Sequence, residues 1–365
     1  MSQIRQDRLS RVVIKGYKSI SNCDIELGNI NVLIGSNGAG KTNFLSAFSL
    51  LRSILEQELS IYVAKKGANS LFYKGAKTTG SIIMEFWLNN NSYSFELGMA
   101  EDNSLVFLSE GFSNEGYFGE GEKGNRESKW VNEAASSKYD SHIISIMKKI
   151  QWRVYHFHDT GSTSKMKVEH NLSNSKVLQW DASNLAAFLY RLKKHHPPVY
   201  RNILNSIQLV APYFKDFELE PMEYNQELIV LRWLQKDCED IFNASQLSDG
   251  TLRFICLATL LLQPTELQPA TIIIDEPELG LHPFAITIFA ELVKKAAFNK
   301  QIILSTQSVE LLNNFEPDDV IVVDRGKNGS VFKRLDSAKL VDWLEDDYTL
   351  GELWNKNILG GRFSQ

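Results

Sequence analysis

Residues 35–42 read GSNGAGKT, and the reading of this octapeptide decides the fold. It satisfies GxxxxGK[ST] at every fixed position. It lies between a short apolar run, 30–34 (INVLI), and a helical pattern with Phe44, Ala47, Phe48, Leu51 and Leu55 on one face. Gly35, Gly38 and Gly40 let the backbone turn and aim its N–H groups inward, making a nest for phosphate oxygens. The following helix adds the positive end of its dipole. Lys41 is then placed to reach the β- and γ-phosphates of a nucleotide, and Thr42 to ligate Mg²⁺ through its hydroxyl. Ser36, Asn37, Gly38, Ala39, Gly40, Lys41, Thr42 and Asn43 are the expected nucleotide contacts. A chance glycine turn before a helix is the alternative, and the strand and helix on either side argue against it.

Outward from this loop the chain changes character twice. Upstream, 11–20 and 21–27 read as two strands of a meander. Downstream, 81–108 reads as antiparallel strands joined by the polar turns NNN and EDN, and 113–129, rich in Gly, Glu and Ser, as an exposed loop. The pattern is helical at about 135–150 and 181–209, and strand-like again at 225–234. The last block alternates: helix 248–263, strand 271–275, helix 284–298, strands 301–306 and 319–324. That rhythm predicts a largely parallel, helix-covered sheet.

The strand TIIIDE (271–276) carries three consecutive isoleucines, as a strand buried on both faces does, and ends in two carboxylates. Asp275 is suited to hold Mg²⁺. Glu276, one residue past the strand, is suited to polarise the attacking water as a general base. Solvated acids at a strand end are common, so this pair gains its meaning from the phosphate loop.

Residues 245–253 read SQLSDGTLR and open an apolar helix. LSDGT resembles the signature motif of ABC-type ATPases in the form found in RecF-like, SMC-like and OLD-like members. The order also agrees: phosphate loop, signature, acidic strand end about 27 residues on, then a D-loop at Glu278-Leu279-Gly280-Leu281-His282-Pro283. A plain Ser or Asp helix cap explains SDG locally as well. The resemblance implies that Ser248 and Gly250 present a second anion-binding helix N-terminus to the γ-phosphate of ATP held by another subunit. That makes an isologous, nucleotide-sandwiched homodimer or a larger homo-oligomer. Gln307, after the strand QIIL, stands where many relatives carry a histidine that touches the γ-phosphate; glutamine can donate a hydrogen bond but carries no switchable charge. YHFHDT (155–160), DASNLAAFLYRL (181–192) and LGELWNKNILGG (350–361) resemble one subgroup of these ATPases. His158 and Asp159 either occupy the Q-loop position or are held by local hydrogen bonds. His282 reads as a structural D-loop residue. Lys18 is either near the nucleotide or a solvated lysine.

The resemblance thus implies an α/β fold: an ABC-type P-loop ATPase head with a mixed central sheet, an antiparallel β subdomain and an inserted helical lobe. The expected division is 1–62 (core, phosphate loop), 63–130 (β subdomain and loop), 131–244 (helical lobe), 245–345 (core, signature to D-loop) and 346–365 (tail). Catalysis is expected of Glu276, Lys41 and Gln307, with ATP and Mg²⁺ as cofactors and Thr42 and Asp275 as metal ligands.

Composition narrows the class. No run of eighteen apolar residues occurs, so no membrane span or membrane partner is expected. The N-terminus lacks the apolar core of a signal peptide, and Cys23, Cys238 and Cys256 lie far apart, so a reducing cytoplasm is expected. A net charge of −5 leaves room for DNA only at a local patch; Arg191–His196 is the candidate, and such a run is usually a solvated helix face. Lys41 and Ser248 lie about 207 residues apart, too far for a transporter subunit, and no heptad arm separates them. With about 40 residues after the last assigned strand, no Toprim nuclease is expected. Such bare heads resemble the ATPase component of two-gene antiphage systems such as PARIS and Septu, in which a separate effector does the damage. Two other functions stay open: a RecF-like repair factor that clamps DNA directly, and a scaffold that binds ATP with little turnover.

Overall fold

The computed structural model describes residues 8–114, 117–120, 123–133, 147, 152–345 and 348–361. The chain opens with β1 (Arg11–Tyr17), β2 (Ile20–Glu26) and β3 (Ile30–Ile34). After the helix Lys41–Leu55 come β4 (Ile82–Leu88), β5 (Asn91–Met99), β6 (Leu105–Asn114), β7 (Tyr117–Glu120) and the short β8 (Val154–Tyr155). The middle adds β9 (His170–Asn171), β10 (Phe214–Glu218), β11 (Leu228–Ile229), β12 (Arg232–Gln235) and β13 (Ile241–Asn243). The last third adds β14 (Thr271–Asp275), β15 (Gln301–Thr306), β16 (Val320–Gly326) and β17 (Gly329–Arg334).

Two compact units result. The first holds the residues up to Val154, Pro269–Asp275 and those from Lys300 onward; the second holds Tyr155–Gln268 and Glu276–Asn299.

The first unit carries two six-stranded sheets. One is antiparallel, in the order β2-β1-β4-β5-β6-β7. β4 alternates strictly between buried and half-buried residues, the period of a sheet with one face on the core. The other sheet runs β17-β16-β3-β15-β14-β8. Its centre, β16-β3-β15-β14, is parallel, and β17 closes it antiparallel. Every residue of β14 and β15 is buried, as expected where both faces are covered. Between the sheets the helix Lys41–Leu55 buries Phe44, Phe48 and Leu51 without exposure. Phe48 stacks on Trp152 at 5.8 Å, and both contact Phe86. Each such side chain contributes roughly 1.5–3 kcal/mol by leaving water.

The second unit is built on the helix Asp249–Leu262, whose residues 252–261 are all buried. A helix apolar on every side must be covered on every side. The helices Pro197–Val210 and Pro283–Ala297 pack against it. A three-stranded sheet, β10-β12-β13, and the pair β9-β11 complete the unit. No helix among the described residues is long and apolar enough to cross a membrane.

Three sequence expectations need correction. The stretch 113–129 is not all loop: β6 runs to Asn114 and β7 pairs with it, Ser113 opposite Phe118. Backbone pairing decides this, and a Gly- and Glu-rich composition conceals it. The strand expected at 225–234 is two short strands in different sheets. β17 was not expected at all, although Asn328-Gly329, which leads into it, is a hairpin signal. The helix expected at 135–150 lies outside the described residues apart from Met147, which is buried.

Candidate nucleotide-binding site

The parallel strands of the first unit set the site. Register places Asp275 beside Ser305, Ser305 beside Leu33, and Thr306 beside Ile34. The carboxyl ends of β14, β15 and β3 therefore lie in a row about 10 Å wide, at the usual strand spacing. Asp275, Gln307 and the phosphate loop issue from these three ends. In open α/β sheets the ligand crevice lies outside the carboxyl ends of the strands.

The loop conformation matches its glycines. Gly38 has φ 77° and Gly40 φ 120°, both in the region that favours glycine. A Cβ on Gly40 would lie 2.1 Å from Ser330 Oγ, and one on Gly35 would lie 2.3 Å from the Val323 carbonyl oxygen. The helix that follows has Gly40 as N-cap, no side-chain cap and no acidic residue in its first turn. A glycine cap has no side chain to bond the leading N–H groups, an arrangement that suits an anion at this terminus. Lys41 is 5% exposed, and its Nζ donates to the carbonyls of Gly35 at 2.7 Å and Ser36 at 3.2 Å. Thr42 is exposed. Asn43 Nδ2 donates to Ser19 Oγ at 2.8 Å, and Ser19 Oγ lies 2.7 Å from Ser330 Oγ.

Asp275 is 5% exposed and accepts a hydrogen bond from Ser305 Oγ. Asp275, Thr42 and the loop form a set of hard oxygen donors beside a phosphate cradle, a chemistry that fits Mg²⁺ and a nucleotide triphosphate. Glu276 takes φ 45°. Left-handed backbone costs a non-glycine residue roughly 1–2 kcal/mol, and such strain is concentrated at functional positions.

A cavity of about 500 Å³ opens beside the loop. Asn43, Phe72 and Tyr73 line it together with four cations, Lys18, Lys74, Arg325 and Lys327, and no carboxylate lines it. Arg325 Nη1 would lie 3.9 Å from a Cβ on Gly38. Lys18 donates to Ser46 Oγ at 2.7 Å, and its own burial, with a smaller push from Lys66, lowers its pKa to about 8.

In the second unit, Ser248 caps the helix Asp249–Leu262: its Oγ accepts from Thr251 N at 3.1 Å. Gly250 meets the D-loop segment so closely that a Cβ would lie 2.3 Å from the Gly280 carbonyl oxygen. Arg253, 5% exposed, donates from Nε to the Phe157 carbonyl at 2.9 Å and from Nη2 to the His158 carbonyl at 3.2 Å. Its Nη1 would lie 2.8 Å from a Cβ on Gly280. One guanidinium thus joins the segment 157–158, the helix after LSDG and the turn after Glu276. Sequence reading missed it, though an arginine among buried helix positions was the available signal. His282 Nδ1 caps the next helix, accepting from Phe284 N at 3.3 Å. Lys193 is tied to Asp216 at 3.2 Å, and Lys194 lies over the Tyr190 ring. The basic run is thus partly occupied within its own unit.

The expected site residues fall into two groups. The first unit brings together residues 35–43, Asp275 and Gln307; the second holds Ser248, Gly250 and Glu276. Ser305, Arg253 and three of the cavity's cations, Lys74, Arg325 and Lys327, were not legible as site residues, whereas Lys18 was already a candidate.

Comparison with known proteins agrees with this fold. The AAA_21 family, described as "AAA domain, putative AbiEii toxin, Type IV TA system", matches residues 30–313. The DNA replication and repair protein RecF of Aliivibrio fischeri (strain ATCC 700601 / ES114) is 39% identical over 75 residues, 20% of this chain and 21% of that protein. Endonuclease GajA of Bacillus cereus (strain VD045) is 34% identical over 86 residues, 24% of this chain and 14% of GajA. The chain therefore spans only about a fifth, or less, of the length of these relatives. Among solved structures, an Smc head bound to the C-terminal winged-helix domain of ScpA superposes with a TM-score of 0.60 at 15% identity, covering 91% of this chain and 99% of that one. The Smc head with an extended coiled coil from Pyrococcus furiosus gives 0.57 at 14% identity, covering 93% and 99%. The chain belongs to the AAA_21 family, shares local sequence similarity with RecF and GajA, and has the fold of Smc heads.

Proposed function

We propose that this chain binds ATP with Mg²⁺ at the carboxyl edge of the parallel sheet and hydrolyses it within a head-to-head homodimer. The observation that carries the reading is the row of strand ends at which the glycine cradle, buried Asp275 and Gln307 meet. When bound, ATP–Mg²⁺ supplies the transferable phosphoryl group and a cation that neutralises its charge. Lys41, Thr42 and the N–H groups of residues 38–43 hold the phosphates. Thr42 and Asp275 hold the metal, with Ser305 orienting the carboxylate. Glu276 takes up the proton of the attacking water. The open cavity beside Asn43 accepts the nucleoside end, with Tyr73 and Phe72 as apolar walls. Ser248 and Gly250 of a second copy cap the γ-phosphate. Gln307 contacts it without changing charge, which favours slow or partner-gated turnover.

The biological role follows as a second step of the same proposal. ATP closes the dimer, and closure gates a separate effector in antiphage defence, because ATP binds the closed state more tightly than the open one. The similarity to GajA, an endonuclease by name, supports this reading; the match to RecF supports direct DNA clamping as the alternative. For the clamp, the cations of the cavity are better placed than Lys193, which is ion-paired. A cytoplasmic location and the five-part division of the chain belong to the same proposal.

The experiment is ATPase rate and native mass for wild type and Glu276→Gln, with ATP and Mg²⁺, alone and with double-stranded DNA. Turnover by wild type and an ATP-dependent dimer of the variant support the mechanism; stimulation by DNA favours the clamp. Nucleotide held without hydrolysis in a constant assembly makes ATP a structural ligand and sinks the enzyme reading.

A further inference from the structure

The segment LGELWNKNILGG (350–361) resembles a stretch found in one subgroup of these ATPases, and the function proposed above gives it no task. Thr349 opens the helix Leu350–Asn355 with a reciprocal cap: its Oγ1 accepts from Glu352 N, and Glu352 Oε2 accepts from Thr349 N. Leu350, Leu353 and Trp354 are buried. Gly351 is seated against the short helix Val309–Leu312: its N–H donates to Asn313 Oδ1, and a Cβ there would lie 2.3 Å from Val309 Cγ1. That short helix is capped by Ser308, the residue after Gln307.

Four residues beyond Asn357 the segment reaches the phosphate loop. Gly360 and Gly361 both have positive φ, 79° and 81°. The Gly361 carbonyl accepts from Ser36 N–H at 3.2 Å, and its own N–H donates to Asp324 Oδ2 at 3.2 Å. Gly361 lies between Trp354 and Val322: a Cβ would lie 2.7 Å from the indole ring and 2.8 Å from Val322 Cγ1. The neighbouring Val323 carbonyl is the atom packed under Gly35. The end of β16, the segment and the first residues of the phosphate loop therefore close a circuit. Ser36 is pinned on both sides, its N–H by Gly361 and its carbonyl by Lys41.

We propose that residues 349–361 form a strap that positions the phosphate loop and the Gln307 segment together, so that nucleotide binding and strap docking reinforce each other. The reasoning is one of linkage. If the strap sets the Gly35–Ser36 peptide, a nucleotide that needs that peptide in place stabilises the docked strap by the same factor. Gly361 is a positioning residue: it acts on the nucleotide site through the backbone N–H of Ser36, itself an expected nucleotide contact. The proposal rests on the ATP-binding reading.

The test uses the full chain, Gly361→Ala, a chain ending at Asn357, and Lys41→Ala as reference. Affinity for a non-hydrolysable ATP analogue with Mg²⁺ is measured by calorimetry, and amide exchange of 349–361 is followed in wild type with and without the analogue. Gly361→Ala and the shortened chain should each bind about 3- to 10-fold more weakly, the range of one lost hydrogen bond. The analogue should slow exchange across 349–361. Unchanged or tighter binding by Gly361→Ala, or exchange that ignores the analogue, overturns the strap. If the shortened chain does not fold, the point variant and the wild-type exchange decide. Failure of wild type to bind the analogue overturns the ATP reading instead; binding that is lost in Lys41→Ala but kept in the strap variants overturns only the strap.

Discussion

Two helix N-termini carry the glycine motifs of this protein, and they are finished in opposite ways. The helix after the phosphate loop begins at Gly40 with no side-chain cap and no acid in its first turn. The helix after LSDG begins at Ser248, whose own hydroxyl satisfies Thr251 N–H, and carries Asp249 within 3.8 Å of Lys167. Both ends have the same dipole. The first leaves its donors for a ligand; the second answers part of its need internally and places a carboxylate on its first turn. The lesson is one of division of labour. In the proposed mechanism the Gly40 terminus would hold phosphate within its own unit, whereas the Ser248 terminus, already capped by its own hydroxyl, would gain from a phosphate held elsewhere.

The largest expected break in this contrast is Lys41→Ala. Removing the buried cation and its charge-assisted bonds should weaken nucleotide binding by about 100-fold or more, read by calorimetry. Full affinity in the variant would erase the distinction between the termini. Next comes Ser248→Arg, which should leave binding to a single subunit within about twofold while cutting cooperative hydrolysis about 100-fold, a size typical of losing one oriented donor group. The check is the dependence of rate on protein concentration; a surviving second-order dependence would remove Ser248 from the interface. Arg253→Met should cost about 2–3 kcal/mol of stability, because two buried carbonyls lose a charged donor, and should lower turnover more than affinity. Arg253→Lys keeps the charge without the fork and should rescue only part. Equal loss of affinity and turnover in a thermally intact Arg253→Met would assign it to packing alone.

The smallest effect concerns pH. Burial lowers the Lys18 pKa to about 8, below its unfolded value. The folded state thus disfavours protonated Lys18; that penalty is full below about pH 8, shrinks as pH rises through 8, and is gone only above the ordinary lysine value of 10.5. Anion binding beside it has the opposite dependence: attraction is full below pH 8 and fades above it. Nucleotide affinity should fall about 3- to 10-fold between pH 7 and 9.5, with proton uptake on binding in the upper part of that range. Lys18→Arg should flatten the profile. A wild-type profile that is already flat would place the nucleotide away from Lys18.

Much of this was legible in the primary structure because the informative patterns are local. The phosphate loop needs glycine at fixed offsets to reach its dihedral angles, and β14 needs continuous apolar residues to be buried on both faces. The resemblance of LSDGT to a signature motif, in the right order between phosphate loop and acidic strand end, then implied the kind of ATPase, and the match over residues 30–313 showed the family. β7 escaped because backbone pairing, not side-chain pattern, makes it a strand. Arg253, Ser305 and the cavity cations Lys74, Arg325 and Lys327 escaped because each acts with atoms far away in sequence: Arg253 bonds carbonyls about 95 residues upstream, and Ser305 holds a carboxylate 30 residues before it. The segment 349–361 could be matched to relatives by its letters, but its contact with Ser36 spans 325 residues of chain. The sequence by itself determined the chemistry of the cradle and the fold that carries it. Only the tertiary structure decided which distant side chains and carbonyls hold that cradle in place, because hydrogen-bond partners are chosen by proximity in space, on which one-dimensional periodicity has no bearing.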